Sequence, residues 1–114
     1  MQKLLIVLFS LSLLSGYAQS KAEKLFQTKK WSELVAMKGE AKRLSGKDIY
    51  RIGQGCMKEK QDTAAIRMFR MSIKKGYKTG DLYYNLGICY NQVELYPEAV
   101  HALNNALYLV PDRK

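Results

Sequence analysis

Apolar residues recur at intervals of three and four positions through residues 46–113, which is the spacing of amphipathic helices. The pattern lies on both sides of a short turn in residues 46–79, and it does so again in residues 80–113. Each of these two units is therefore predicted to form a helix, a turn and a second helix. We expect an all-α fold.

The second unit repeats the pattern of the first. Shifting the chain so that residue 46 falls on residue 80 aligns four pairs of identical residues without a gap: Gly53 with Gly87, Tyr50 with Tyr84, Ala65 with Ala99, and Gly46 with Gly80. A glycine inside a helix costs about 1 kcal/mol relative to alanine, so Gly87 needs a structural reason. We predict that it is a packing contact, where the second helix of its own or the preceding unit comes close.

These residues resemble the tetratricopeptide repeat motif, which has the form W-x2-L-G-x2-Y, then A-x3-F, with a proline near its end. The second unit matches with Tyr83 in the tryptophan place, Leu86-Gly87, Tyr90, Ala99, Leu103, Ala106 and Pro111. The first unit matches with Ile49, Ile52-Gly53, Ala65, Phe69 and Ser72, and departs from the motif at Cys56 and Tyr77. The resemblance implies a right-handed superhelical array of antiparallel helix pairs, an α-α solenoid.

The chain before the repeats divides into two parts. Residues 1–18 have a lysine near the start, an apolar run and small residues at Gly16 and Ala18, which is typical of a secretory signal peptide cleaved after Ala18. The alternative is a retained membrane anchor, but the apolar run is shorter than the roughly 17–25 residues that span a bilayer. Residues 19–45 are predicted to form short helices near 21–28 and 31–44, a degenerate helical pair that caps the array. We therefore expect an exported protein, periplasmic or secreted.

Charge is distributed unevenly along the chain. Residues 19–79 hold sixteen Lys and Arg against six Asp and Glu, whereas residues 80–114 hold two against four. A basic surface attracts anionic lipid, glycan or nucleic acid, and export makes nucleic acid an unsuitable partner. No arrangement around the single histidine, His101, indicates catalysis, and we expect no enzyme activity, no cofactor and no metal. Cys56 is expected to face the core as a small hydrophobic residue, and we expect no bridge to Cys89.

The resemblance also implies a binding surface. Proteins of this family bind partners mainly through a concave face supplied by the first helix of each repeat. In this chain that face comprises Lys47, Tyr50, Arg51, Gln54, Lys58, Tyr84, Asn85, Ile88, Asn91 and Gln92. The predicted function is a scaffold in the cell envelope that binds a protein or peptide. Two alternatives stay open: electrostatic docking to an anionic lipid or glycan surface, and a regulatory subunit of an envelope enzyme.

The last unit raises a question of its own. Repeat arrays need about three units and polar ends to be stable and soluble. We therefore expect residues 80–110 to expose an apolar edge that either pairs with another subunit or continues into a longer array.

Overall fold

The computed structural model describes residues 19–109, and these residues form helices and turns with no strand. Helix α1 spans Lys21–Gln27 and α2 spans Trp31–Val35, which continues as a 3₁₀ helix over Ala36–Arg43. Four longer helices follow: α3 over Gly46–Lys58, α4 over Asp62–Lys74, α5 over Gly80–Gln92 and α6 over Tyr96–Tyr108. The predicted all-α class is confirmed. The predicted signal peptide and Pro111 lie outside the described residues.

The period of the sequence is also the period of the helices. Both ends of α5 follow the ends of α3 by the interval that separates Gly53 from Gly87, and the same holds for α6 and α4. All four helices have 13 residues. The prediction of one helix over 31–44 was wrong in part, because the α-helix ends at Val35 and residues 36–43 wind more tightly. Gly39 lies within that tighter stretch, and glycine weakens an α-helix there.

Each of the three helical pairs starts in the same way. Ser20, Ser45 and Thr79 precede α1, α3 and α5, and each side-chain oxygen accepts a hydrogen bond from the backbone N–H three residues later. Such N-caps satisfy one of the unpaired donors at a helix start. A local N-cap thus fixes the residue at which the first helix of each pair begins.

The turn inside each pair is also the same. Lys29, Lys60 and Glu94 adopt left-handed backbone conformations, with φ of 57°, 58° and 63°. The next residue in each case donates its N–H to the carbonyl five positions back, with N···O distances of 2.8 to 2.9 Å. This 6→1 bond ends the first helix of the pair and directs the chain into the second. Residues 19–45 therefore share the local construction of the two later pairs, although their helices are shorter.

Glycines allow the helices of the second and third pairs to lie close together. A Cβ added at Gly53 would lie 2.5 Å from Cε1 of Phe69, and one added at Gly87 would lie 2.7 Å from Cγ of Leu103. Both neighbours belong to the second helix of the same pair. α3 packs along α4 and α5 along α6, while α5 also packs on α4 and joins the two pairs. Gly87 is thus a close contact within its own unit.

One core runs through the pairs. Its largest fully buried side chains include Leu34, Ile49, Ile52, Phe69 and Leu82. Ser72 is buried with them, and its hydroxyl donates to the carbonyl of Gly46 at 2.6 Å. The helical pairs therefore share a single core.

Candidate functional site

Tyr50, one of the residues of the predicted binding face, lies inside the structure. It is 8% exposed, and its ring centroid lies 5.6 Å from that of Phe69 and 5.4 Å from that of Tyr77. Its hydroxyl accepts a hydrogen bond of 3.0 Å from the side-chain amide of Asn85. Burial, with a smaller effect of Asp81, raises the pKa of Tyr50 to about 12. Tyr50 and Asn85 therefore fasten α5 to α3.

Two cations of the predicted face contact the first helical pair. The Arg51 guanidinium binds the carboxylate of Asp48 at 2.7 Å and that of Glu23 at 3.8 Å. The ammonium of Lys58 lies 5.7 Å from the centroid of the Trp31 ring, within the range of a cation–π contact. Arg51 thus links α3 to α1, and Lys58 links α3 to α2.

The other members of the predicted face differ in exposure. Lys47, Asn91 and Gln92 are exposed, whereas Gln54 and Ile88 are half-buried. Tyr84 is 55% exposed, although it is the repeat equivalent of the buried Tyr50. The binding role of this face stays a prediction, and Tyr84 is its accessible aromatic residue.

A groove of about 490 Å³ lies between α4 and α6, with α5 beneath it. Its apolar lining includes Leu86 and Ala102, which are buried, and Ile73, which is half-buried. The polar and amphipathic groups that line it come from all three helices: Arg70 and Lys74 from α4, Tyr83 and Tyr90 from α5, and Pro97, Glu98, His101 and Asn105 from α6. The volume is in the range of ligand pockets, and an apolar lining with a few polar groups is typical of them.

The two walls of the groove carry opposite charge. Arg70 and Lys74 are exposed on α4, and within the described residues neither one forms an ion pair. Residues 80–109 contain no lysine or arginine, so Glu98 is the charged residue that α6 brings to the groove. An occupant with an acidic group on one side and an apolar body would match the α4 wall and the lining.

Sequence reasoning did not find this groove. A lysine at position 74 is explained by its stabilising effect near the C-terminal end of a helix. Tyr83 and Tyr90 are explained as positions of the repeat motif, so none of the three indicated a groove. Their common location depends on how α4 and α6 are spaced across α5, which no local pattern specifies. The spacing of Glu98, His101 and Asn105 on α6, at intervals of three and four residues, is the signal that could have indicated one polar edge.

Cys56 is buried, as predicted, and Cys89 is buried as well; both are free thiols. Burial raises the pKa of the Cys56 thiol, and burial followed by the nearby Asp62 raises the pKa of Cys89 to about 12. Such thiols stay protonated and are poor nucleophiles. No cluster of three metal-ligating side chains occurs between residues 19 and 109.

Comparison with known proteins gives no match to a family model, to a curated protein or to a solved structure. No helix within residues 19–109 has the length and hydropathy needed to cross a bilayer.

Proposed function

We propose that this chain is a helical-repeat module of the tetratricopeptide type that binds a protein partner in the cell envelope, without catalysis of its own. The groove between α4 and α6 is the observation that carries the proposal. The repeat type is supported by the period that the sequence and the helices share, and by the close contacts at Gly53 and Gly87. An exported setting follows from the composition of residues 1–18.

The occupant of the groove is an extended peptide segment with an apolar side chain beside an acidic one. The apolar side chain would lie against Leu86 and Ala102, and the acidic one would face Arg70 and Lys74. The hydroxyls of Tyr83 and Tyr90 and the amide of Asn105 can bond a peptide backbone, because each can donate and accept. Arginine and tyrosine are also enriched among residues that dominate binding energy.

A matched pair of charge reversals tests this site. In Arg70→Glu/Lys74→Glu the groove loses both cations, and in Lys21→Glu/Lys24→Glu two exposed lysines of α1 change instead. Both variants lower the net charge equally and alter exposed side chains. A displayed library of random peptides is selected on the wild-type chain, and the affinities of the enriched peptides are measured by fluorescence anisotropy.

We expect enriched peptides that carry an acidic residue next to an aromatic or aliphatic one. Their affinity should fall about tenfold in the groove variant, since each of the two reversals replaces an exposed attraction worth up to about 1 kcal/mol by a repulsion, and less than about twofold in the α1 variant. The same peptides are also measured on Tyr84→Ala, and a loss confined to that variant would place binding on the predicted first-helix face and overturn the groove as the site. Failure to enrich any peptide would overturn the proposal.

Electrostatic docking is the second candidate function, because residues 19–79 have a net charge of +10. In that case both charge-reversal variants would lose affinity for anionic vesicles equally, and binding would weaken steeply with salt as screening shortens to about 8 Å. Vesicle co-sedimentation at low and physiological salt separates the two functions.

A further inference from the structure

The outer side of the second repeat unit exposes residues whose equivalents in the first unit are covered. Val100 is 58% exposed, whereas its repeat equivalent Ile66 is 8% exposed. Tyr84 and Tyr50 differ in the same direction, at 55% and 8%. Leu107 is 65% exposed, and its equivalent Ile73 is half-buried.

The first unit shows what covers such a face. Helix α5 packs along α4, and the Asn85 amide bonds the Tyr50 hydroxyl. Its buried side chains on that side of the molecule include Leu82 and Leu86. Among the described residues no helix holds the corresponding place on α6. A helix with an apolar surface could therefore pack on this face as α5 packs on the first unit.

The spacing on α6 is that of a helix–helix seam. Tyr96, Val100 and Leu107 lie at intervals of four and seven residues on the exposed side of α6, as apolar positions do where two helices pack side by side, and Leu103 between them is half-buried against Gly87. Asn104 and Tyr108 flank this seam, and Tyr108 is 89% exposed. We call the seam together with Tyr84 and Tyr108 the α6 face.

We propose that the α6 face is the contact of a two-fold symmetric dimer, in which α6 of one copy packs antiparallel against α6 of a second copy of this chain. A two-fold contact needs a surface that complements itself. The α6 face meets this need, since it is apolar and residues 80–109 place no lysine or arginine beside it.

The other end of the helix order does not fit the α6 face. The exposed positions of α1 are Lys21, Lys24 and Gln27. Head-to-tail stacking would press these polar groups against an apolar surface, and removing charged groups from water is costly. Pairing of the two α6 faces leaves both basic ends in solvent, and it closes after two copies.

The size of the face sets the expected affinity. A helix of 13 residues is about 20 Å long, and two adjacent helices are about 20 Å across. The contact then covers about 400 Å² per copy, or about 800 Å² in total, which is smaller than a standard interface and of the size expected for a weak, transient one. We therefore expect a reversible dimer that forms at micromolar concentrations.

Sedimentation equilibrium on the natural protein, purified from the cells that make it, tests the dimer. The wild type should shift from monomer to dimer in the micromolar range. Val100→Glu/Leu107→Glu should stay monomeric at concentrations at least about tenfold higher, since it places charges in an apolar contact. The control Gln27→Glu/Thr63→Glu makes the same charge change at exposed sites outside the face and should dimerise like the wild type.

A cross-link provides a second readout that folding defects cannot imitate. Asn104→Cys places a thiol beside the middle of the seam, where two copies related by the two-fold axis meet. Mild oxidation of this variant should give a disulfide-linked dimer. The same treatment of Lys24→Cys, whose thiol lies on α1 outside the α6 face, should not. A wild type that stays monomeric at about tenfold above the micromolar range, a dimer unaffected by Val100→Glu/Leu107→Glu, or oligomers that grow with concentration would each overturn the proposal.

Discussion

Replacement of Gly53 by alanine tests how the helices of one pair approach each other. The added methyl carbon would lie 2.5 Å from Cε1 and 2.7 Å from Cδ1 of Phe69. Carbon atoms prefer separations of about 3.5–4.0 Å, so either the ring or the helix must move. Phe69 is fully buried, and its ring contacts that of Tyr50, so the ring has little room.

Two opposing effects decide the net change in stability. Alanine in place of glycine inside a helix gains about 1 kcal/mol. Overpacking a filled core typically costs about 1–3 kcal/mol, and the rigid ring places this site in the upper part of that range. We therefore expect Gly53→Ala to lower the free energy of unfolding by about 1–2 kcal/mol. Gly87→Ala should cost less, because Leu103 is half-buried and can move toward solvent.

Urea unfolding followed by far-UV circular dichroism measures these changes. The slope of the unfolding free energy against urea concentration should be the same in all variants. Gly39→Ala is the control, because a Cβ there would have no atom within 4 Å. It should be neutral or stabilising. Phe69→Leu in the Gly53→Ala background should remove part of the penalty, a coupling that a double-mutant cycle detects. Additive effects, or a Gly53→Ala variant as stable as the wild type, would refute the close-contact explanation.

Three further predictions concern stability. Ser72→Ala should lower the free energy of unfolding by about 1 kcal/mol, because the buried hydroxyl of Ser72 no longer donates its 2.6 Å hydrogen bond to the carbonyl of Gly46; thermal unfolding unchanged within error would contradict this. Glu94→Gly should stabilise the fold by about 0.5–1 kcal/mol, because glycine adopts the φ of 63° without strain; a lower urea midpoint would be evidence against it. Burial raises the pKa of Cys89 from 9.0 and of Tyr50 from 10.0, each to about 12. The unfolded chain then loses these protons first, so stability should be constant below about pH 9 and fall between about pH 9 and 12. Cys89→Ala should weaken this alkaline dependence in urea titrations, and an unchanged dependence would show that the thiol is not its source.

Local signals in the sequence were sufficient for the helices of the repeats. The internal repeat, the small residues at Gly53 and Gly87, and the three-and-four spacing of apolar positions specify helix pairs, since all of them act between residues close along the chain or in a repeated register. The same local rules were insufficient over residues 31–44, where Gly39 lies in a 3₁₀ segment.

Tertiary structure decided which of two equivalent residues faces solvent. Tyr50 and Tyr84 hold the same place in the repeat, and the sequence alone assigned both to one binding face. Helix α5 packs onto α4, and its Asn85 bonds the hydroxyl of Tyr50, which is buried, whereas Tyr84 on α5 itself stays exposed. The groove between α4 and α6 arises in the same way, from the spacing of helices that belong to different pairs. Helix formation depends on neighbours within about one turn, whereas burial depends on a contact with residues of another repeat unit, and only the packed chain supplies that contact.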